Sequence, residues 1–183
     1  SSLNYSGNIG FSTLANPIDV FSADEYRKQV PAVGGVLEDL GANTDWQEAI
    51  SRTAVTHNHN LALSGGSDKL AYYGSFGFQN QEGILKGSQL NIVSGRVNLN
   101  QKLWGDRLQI DVNLNAARTY NERPPIGSMI GNALSTNPTY PVYDANGLPY
   151  QYQSGANPLR TLELEQDYTT INRVIGNITP SLR

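Results

Sequence analysis

The chain has 183 residues, a net charge of −3 and only 16% charged side chains, so it lacks the basic excess of a nucleic-acid binder. It contains no cysteine, which excludes disulfide frameworks and thiolate chemistry. No apolar run reaches the ~20 residues a transmembrane helix needs. Gly and Tyr are abundant, at 18 and 10 residues, while Lys and Glu are sparse, a balance that suits a β-barrel with a wet lumen or a secreted β-rich domain.

Six segments carry strand signals. The first is Leu3 to Phe11, and two short helices are expected in the link that follows. Ser22 with Glu25 has the spacing of a capping box, and Thr44 with Gln47 repeats it. The second strand is His57 to Ser64, the third Leu70 to Gln79, and the fourth Ile92 to Trp104. The fifth is Arg107 to Tyr120 and the sixth Thr169 to Leu182. Between them, Ile126 to Ser135 suggests a third helix, and Asn137 to Pro158 reads as turns rich in aromatic rings.

In the fourth strand Val93, Val97 and Leu99 oppose Ser94, Arg96 and Asn98. In the fifth Leu108, Ile110, Val112 and Leu114 oppose Gln109, Asp111, Asn113 and Asn115. Period-two alternation of this kind serves a soluble sandwich or a membrane barrel equally. Length favours the barrel. Strands of roughly 13 residues extend about 40 Å and, tilted about 45°, rise about 28 Å. The links also alternate between short ("GGSDK", "WGDR") and long, the outer-membrane pattern. With the first strand running outward, "NQEGILKGSQL" (Asn80 to Leu90) lies outside, Trp104 sits at the inner interface, and Asp111, Asn113 and Asn115 face inward.

Covalent chemistry has little behind it. His57 and His59 share a strand face without a third histidine, so a structural role is preferred to a metal site. Glu163, Glu165 and Asp167 read as a solvated acidic loop, and "DANG" at Asp144 to Gly147 as a β-turn. No nucleophile motif, phosphate loop or zinc motif occurs, so the chain is read as no enzyme, with no cofactor. Tyr140, Tyr143 and Tyr150, with Asp144, are the candidate ligand contacts, because aromatic faces stack on sugar rings or peptide side chains.

"TDWQ" (Thr44 to Gln47), "HNHNLALSGG" (His57 to Gly66), "YYGSFGFQNQEGILKGS" (Tyr72 to Ser88) and "SGRVNL" (Ser94 to Leu99), in that order, resemble the early barrel of SusC/RagA-type TonB-dependent outer-membrane transporters. "YSGNIGF" and "SADEYR" upstream and "YDANG" downstream fit the same resemblance. It implies an all-β, antiparallel transmembrane β-barrel segment: about six strands of a barrel of about 22, with short helices in extracellular loops. Residues 1–183 would be the N-terminal part of the barrel, with the plug domain and remaining strands elsewhere. It further implies the bacterial outer membrane, a SusD-like surface lipoprotein as lid, TonB acting through the plug, and an oligosaccharide or oligopeptide as cargo. The rival expectation is a soluble secreted β-sandwich that binds glycans, with Val97, Leu99, Ile110 and Val112 in a closed core.

Overall fold

The computed structural model describes residues 1–153 and 155–182. Ser154, within the aromatic stretch, and Arg183 lie outside them. Six strands form one antiparallel sheet in simple sequential order: β1 (Ser2–Ser12), β2 (Ala54–Gly66), β3 (Leu70–Glu82), β4 (Gln89–Leu103), β5 (Leu108–Arg123) and β6 (Asp167–Leu182). Each spans its predicted segment almost entirely, and most run longer. The last two have 16 residues each, because pairing continues as far as Arg123 opposite Asp167.

The register sorts side chains onto two faces. One row reads Tyr5, Leu61, Phe76, Gly95, Ala116, Val174 across the strands, and the next Leu3, Leu63, Gly74, Val97, Leu114, Gly176. The opposite face carries rows such as Ser2, Ser64, Tyr73, Asn98, Asn113, Asn177. The division weakens in β6, where Ile171 and Ile175 fall on the polar side.

Among the described residues neither face is covered. Val97 is 49% exposed and Leu114 42%, and none of the four residues of the sandwich expectation is buried. Total accessible area is 11981 Å², against about 8,700 Å² expected for a compact chain of this mass. The sheet therefore has no core of its own among the described residues.

The tight links lie at one end. Ser67 N–H donates to Leu70 O at 2.6 Å and closes the β2–β3 turn. The β4–β5 turn runs through three left-handed residues, Trp104, Gly105 and Asp106 (φ 53°, 64° and 71°). Only Gly105 takes that conformation without a Cβ penalty. Trp104 stands 75% exposed beside the last apolar row.

All three long links leave from the other end and interlock. The first holds α1 (Ala23–Ala32) and α2 (Trp46–Ile50), the third α3 (Ile126–Ser135) and α4 (Pro158–Leu164). The chain's true core is here: Trp46, Ile50, Met129, Ala133, Tyr140 and Leu159, with Leu85 from the second link packed against them. Leu85 bridges to Ser51, and Lys86 Nζ donates to Ala49 O at 2.7 Å near the end of α2. Gly87 must be glycine: its φ is +82°, and a Cβ would meet Leu162 Cδ2 at 2.8 Å.

Three local expectations need correction. Ser22 and Glu25 do form a capping box on α1, but α2 is capped by Asp45, which accepts from Glu48 N–H at 3.0 Å. The Thr44 hydroxyl donates instead to Tyr140 O at 2.6 Å, a stronger claim from a distant segment. The turn-rich reading of the third link missed α4, which starts with Asn157 as cap and Pro158 in its first turn. Glu163 is thus helical and Asp167 opens β6, so the acidic run is no single loop.

Candidate functional site

The cap is built from segments far apart in sequence. Residues 42–44 pair with 138–139: Ala42 N–H donates to Thr139 O at 2.9 Å and Thr44 N–H to Pro138 O at 2.8 Å. Trp46 Nε1 donates to Asn137 O at 3.1 Å, which fixes the indole as it packs edge-on to Tyr152 at 6.1 Å. Arg27 holds the connecting loop by donating to Asp39 Oδ2 at 2.7 Å and to Ala42 O at 2.8 Å. That Arg27 bond, then the Gly41 N–H, hold the Asp39 carboxyl below its usual range.

Among the described residues the buried polar side-chain atoms are matched. Asn157 is 1% exposed, yet its amide donates to Val142 O and Tyr150 O at 2.8 and 3.2 Å while its oxygen caps Leu159 N–H. This single side chain ties α4 to the aromatic loop.

The four predicted contacts are brought into one neighbourhood but into different situations. Tyr140 is a core residue whose hydroxyl donates to Glu38 Oε2. Tyr152, between Tyr140 (4.7 Å) and Tyr150 (5.5 Å), makes a continuous row of rings. Tyr150 is half-buried at its end and Tyr143 is exposed at 51%. Asp144 folds the loop tip, accepting from Asn146 and Leu148 N–H at 2.8 and 3.0 Å, and Gly147 takes φ +78° to complete the turn.

The hydrogen bond to Glu38, then burial, push the Tyr140 hydroxyl from its ordinary 10.0 up to about 12. Burial first, then Tyr140 and Tyr150, push Tyr152 up as well. A raised tyrosine stabilises the fold fully below its unfolded value near 10 and loses that contribution as pH rises through about 12. Alkaline titration followed by tyrosinate absorbance should therefore show a late phase that coincides with loosening of the cap. Tyr140→Phe should remove one equivalent from it; an unaltered late phase would contradict this environment for Tyr140.

A cleft of about 710 Å³ opens on the other side of α2, between residues 17–23 and the end of α3. Ile18, Phe21, Tyr26, Thr44, Ala133 and Pro138 help line it, and its charged lining groups among the described residues are Asp19 and Asp45. Its strap is latched by Gln47, whose oxygen accepts from Ile18 N–H at 2.8 Å and whose amide donates to Ile18 O at 2.7 Å. The sequence reading assigned Gln47 to a helix cap and missed this latch; no local pattern marks a side chain paired with a backbone 29 residues away. None of the four predicted contacts lines the cleft.

His57 and His59 lie on the apolar side near the cap end of β2. His57 Nδ1 is 3.3 Å from His59 Nε2, and Tyr5 Oη is 2.6 Å from His59 Nδ1, with Phe78 stacked on His59. The described residues hold no group of three or more metal-ligating side chains.

No protein-family model matches the chain. It is 34% identical over 205 residues to the TonB-dependent receptor SusC of Bacteroides thetaiotaomicron, covering 97% of this chain and 20% of that protein. It is 29% identical over 140 residues to the TonB-dependent receptor P26 of Formosa agariphila, covering 74% of this chain and 14% of that one. Among solved structures, that of the RagAB peptide transporter superposes with a TM-score of 0.70 at 20% identity, over 96% of this chain and 26% of the other. The RagAB peptide importer in its open-open state gives 0.71 at 19% identity, over 96% and 25%. These structures show the fold, a run of antiparallel strands from a TonB-dependent barrel. The chain spans 20% of the length of the SusC relative.

Proposed function

Because the chain belongs to the SusC/RagA-type family of TonB-dependent receptors, we propose that residues 1–183 form the early barrel wall and outer cap of an outer-membrane importer for a bulky nutrient, an oligosaccharide or oligopeptide. The observation that carries this reading is the uncovered apolar face. Rows of Leu, Val, Phe and Ile extend over five or six strands, and none of the described residues covers them. Water does not tolerate such a surface; lipid does. From Leu108 to Tyr120 a strand rises about 28 Å when tilted about 45°, close to the hydrocarbon thickness. Exposed Trp104 stands at one limit, and His57, Tyr120 and Arg118 at the other, where aromatic and basic side chains meet headgroups.

The polar face lines the lumen in this reading, with Asn113, Asn115 and Asp111, the last held by Asn100 and Gln109. The cap then faces outward. Tyr143 and Tyr150 touch cargo, while Tyr140 and Asp144 hold the loop that presents them. A SusD-like surface lipoprotein fits the exposed apolar residues of the first link, Val20, Phe21, Val33 and Val36 among them. TonB acts through a plug domain outside these residues. The work is translocation, with no covalent step.

Spin labels placed at Val97 and Val112 of the full-length receptor in lipid should be strongly accessible to a lipid-soluble quencher. Protection at both positions would defeat the wall assignment. For import, deleting the receptor should abolish TonB-dependent uptake of labelled oligosaccharide or oligopeptide by cells; uptake of both at the parental rate would refute it.

A further inference from the structure

The centre of the polar face is neutral except at two points. Its rows are filled mostly by Asn, Ser, Ala, Thr and Gly residues, and its other charged groups, Lys102 and Asp111 at one end and the paired Arg123 and Asp167 at the other, lie away from the centre. The exceptions are Arg96 on β4 and Arg173 on β6. Register places Arg96 opposite Asn115, and Arg173 opposite Ala117 one row away. The two strands are two spacings apart, about 10 Å. Both arginines line one depression of about 280 Å³, whose floor is made of small side chains, Ser75, Ser94 and Ala117 among them. Among the described residues neither arginine meets a carboxylate, and the polar contact made by Arg96 is Nε to Asn98 Oδ1 at 3.4 Å.

Two like charges side by side in one open depression, with no anion between them, repel each other, and both side chains are exposed to an entering group. Small floor residues leave room for a group to enter from above. Guanidinium forks match carboxylate oxygens two bonds at a time. We infer that Arg96 and Arg173 form a carboxylate-binding station on the polar face of β4–β6. The inference rests on that face lining a lumen, and it adds a chemical preference that the importer reading lacks. A neutral glycan would leave both charges unmatched, whereas the C-terminus or an acidic side chain of a peptide satisfies them. The carboxylate comes either from such a cargo or from another part of the same receptor within the lumen.

The test uses full-length receptor in detergent and two probes, a short N-acetylated peptide with a free C-terminal carboxylate and the same peptide as its amide. If cargo supplies the carboxylate, calorimetry should show about tenfold tighter binding of the acid than the amide. Arg96→Gln with Arg173→Gln should erase that preference, and Arg96→Lys with Arg173→Lys should keep part of it. Arg118→Gln, on the opposite face, should not alter it. If the receptor supplies its own carboxylate, the wild type should show no preference, and the double glutamine variant should melt several degrees lower than both wild type and the double lysine variant. Either pattern supports the station and identifies its source. Equal binding of acid and amide together with unchanged melting overturns it. The readings are taken without TonB or uptake, so they stand or fall separately from the import experiment.

Discussion

Replacing Trp46 with alanine is expected to undo the outer cap while leaving the strands paired. The indole is 3% exposed, packs with Ile50, Met129 and Leu159, and donates to Asn137 O. Large-to-small changes of a buried aromatic cost about 3–5 kcal/mol, and an unmatched carbonyl adds to this. The cap has no second core to fall back on, because the described hydrophobic core residues cluster here and not on the sheet. Hydrogen exchange in the full-length receptor should show the amides of Ala42 and Thr44 exchanging at least about a hundredfold faster, an opening about 3 kcal/mol easier. Amides in the middle of β3 to β5 should keep their protection. If Ala42 and Thr44 remained protected, the cap would not depend on the indole. Ligand uptake should fall with cap order, since Tyr143 and Tyr150 ride on the loop that Asn157 and Tyr152 hold against this core.

The second large effect concerns the opposite environment. Leu114→Arg should cost about 2–4 kcal/mol in folding into lipid, the penalty for a cation at the hydrocarbon midplane of a barrel's outer face. Leu114 lies near the middle of β5, opposite Val97 and Gly176, and is 42% exposed to whatever covers that face. Asn113→Arg, one residue away on the polar side, should be nearly neutral. The comparison is made by equilibrium refolding of both full-length variants into vesicles. Equal cost for the two would mean that the faces are not separated between lipid and water. The pair isolates orientation, because strand, depth and added side chain are the same.

The strands were legible because their signals are local. Alternation places Val97, Leu99, Val112 and Leu114 on one side whatever the rest of the chain does, and the turns at Ser67 to Lys69 and Trp104 to Arg107 close within a few residues. Helix α1 and its Ser22–Glu25 box were legible for the same reason, and so was the span of α3. The cap was not. Thr44 has the spacing of a helix cap, but a carbonyl 96 residues away takes its hydroxyl. Tyr140 looks like a loop aromatic free to meet a ligand, but Glu38, 102 residues distant, takes its hydroxyl and the core takes its ring.

The sequence by itself determined the period-two strands, the short and long links and, through a run of motifs, the family. Each depends on neighbours within one strand or turn, where backbone geometry leaves few choices. Only the tertiary structure decided which loop residues are core and which are surface, that Gln47 latches the strap at Ile18, and that Arg96 and Arg173 share one depression. These depend on pairing between segments tens of residues apart. Such contacts form only after the loops close, and their side chains carry no periodic mark of the partners they will meet.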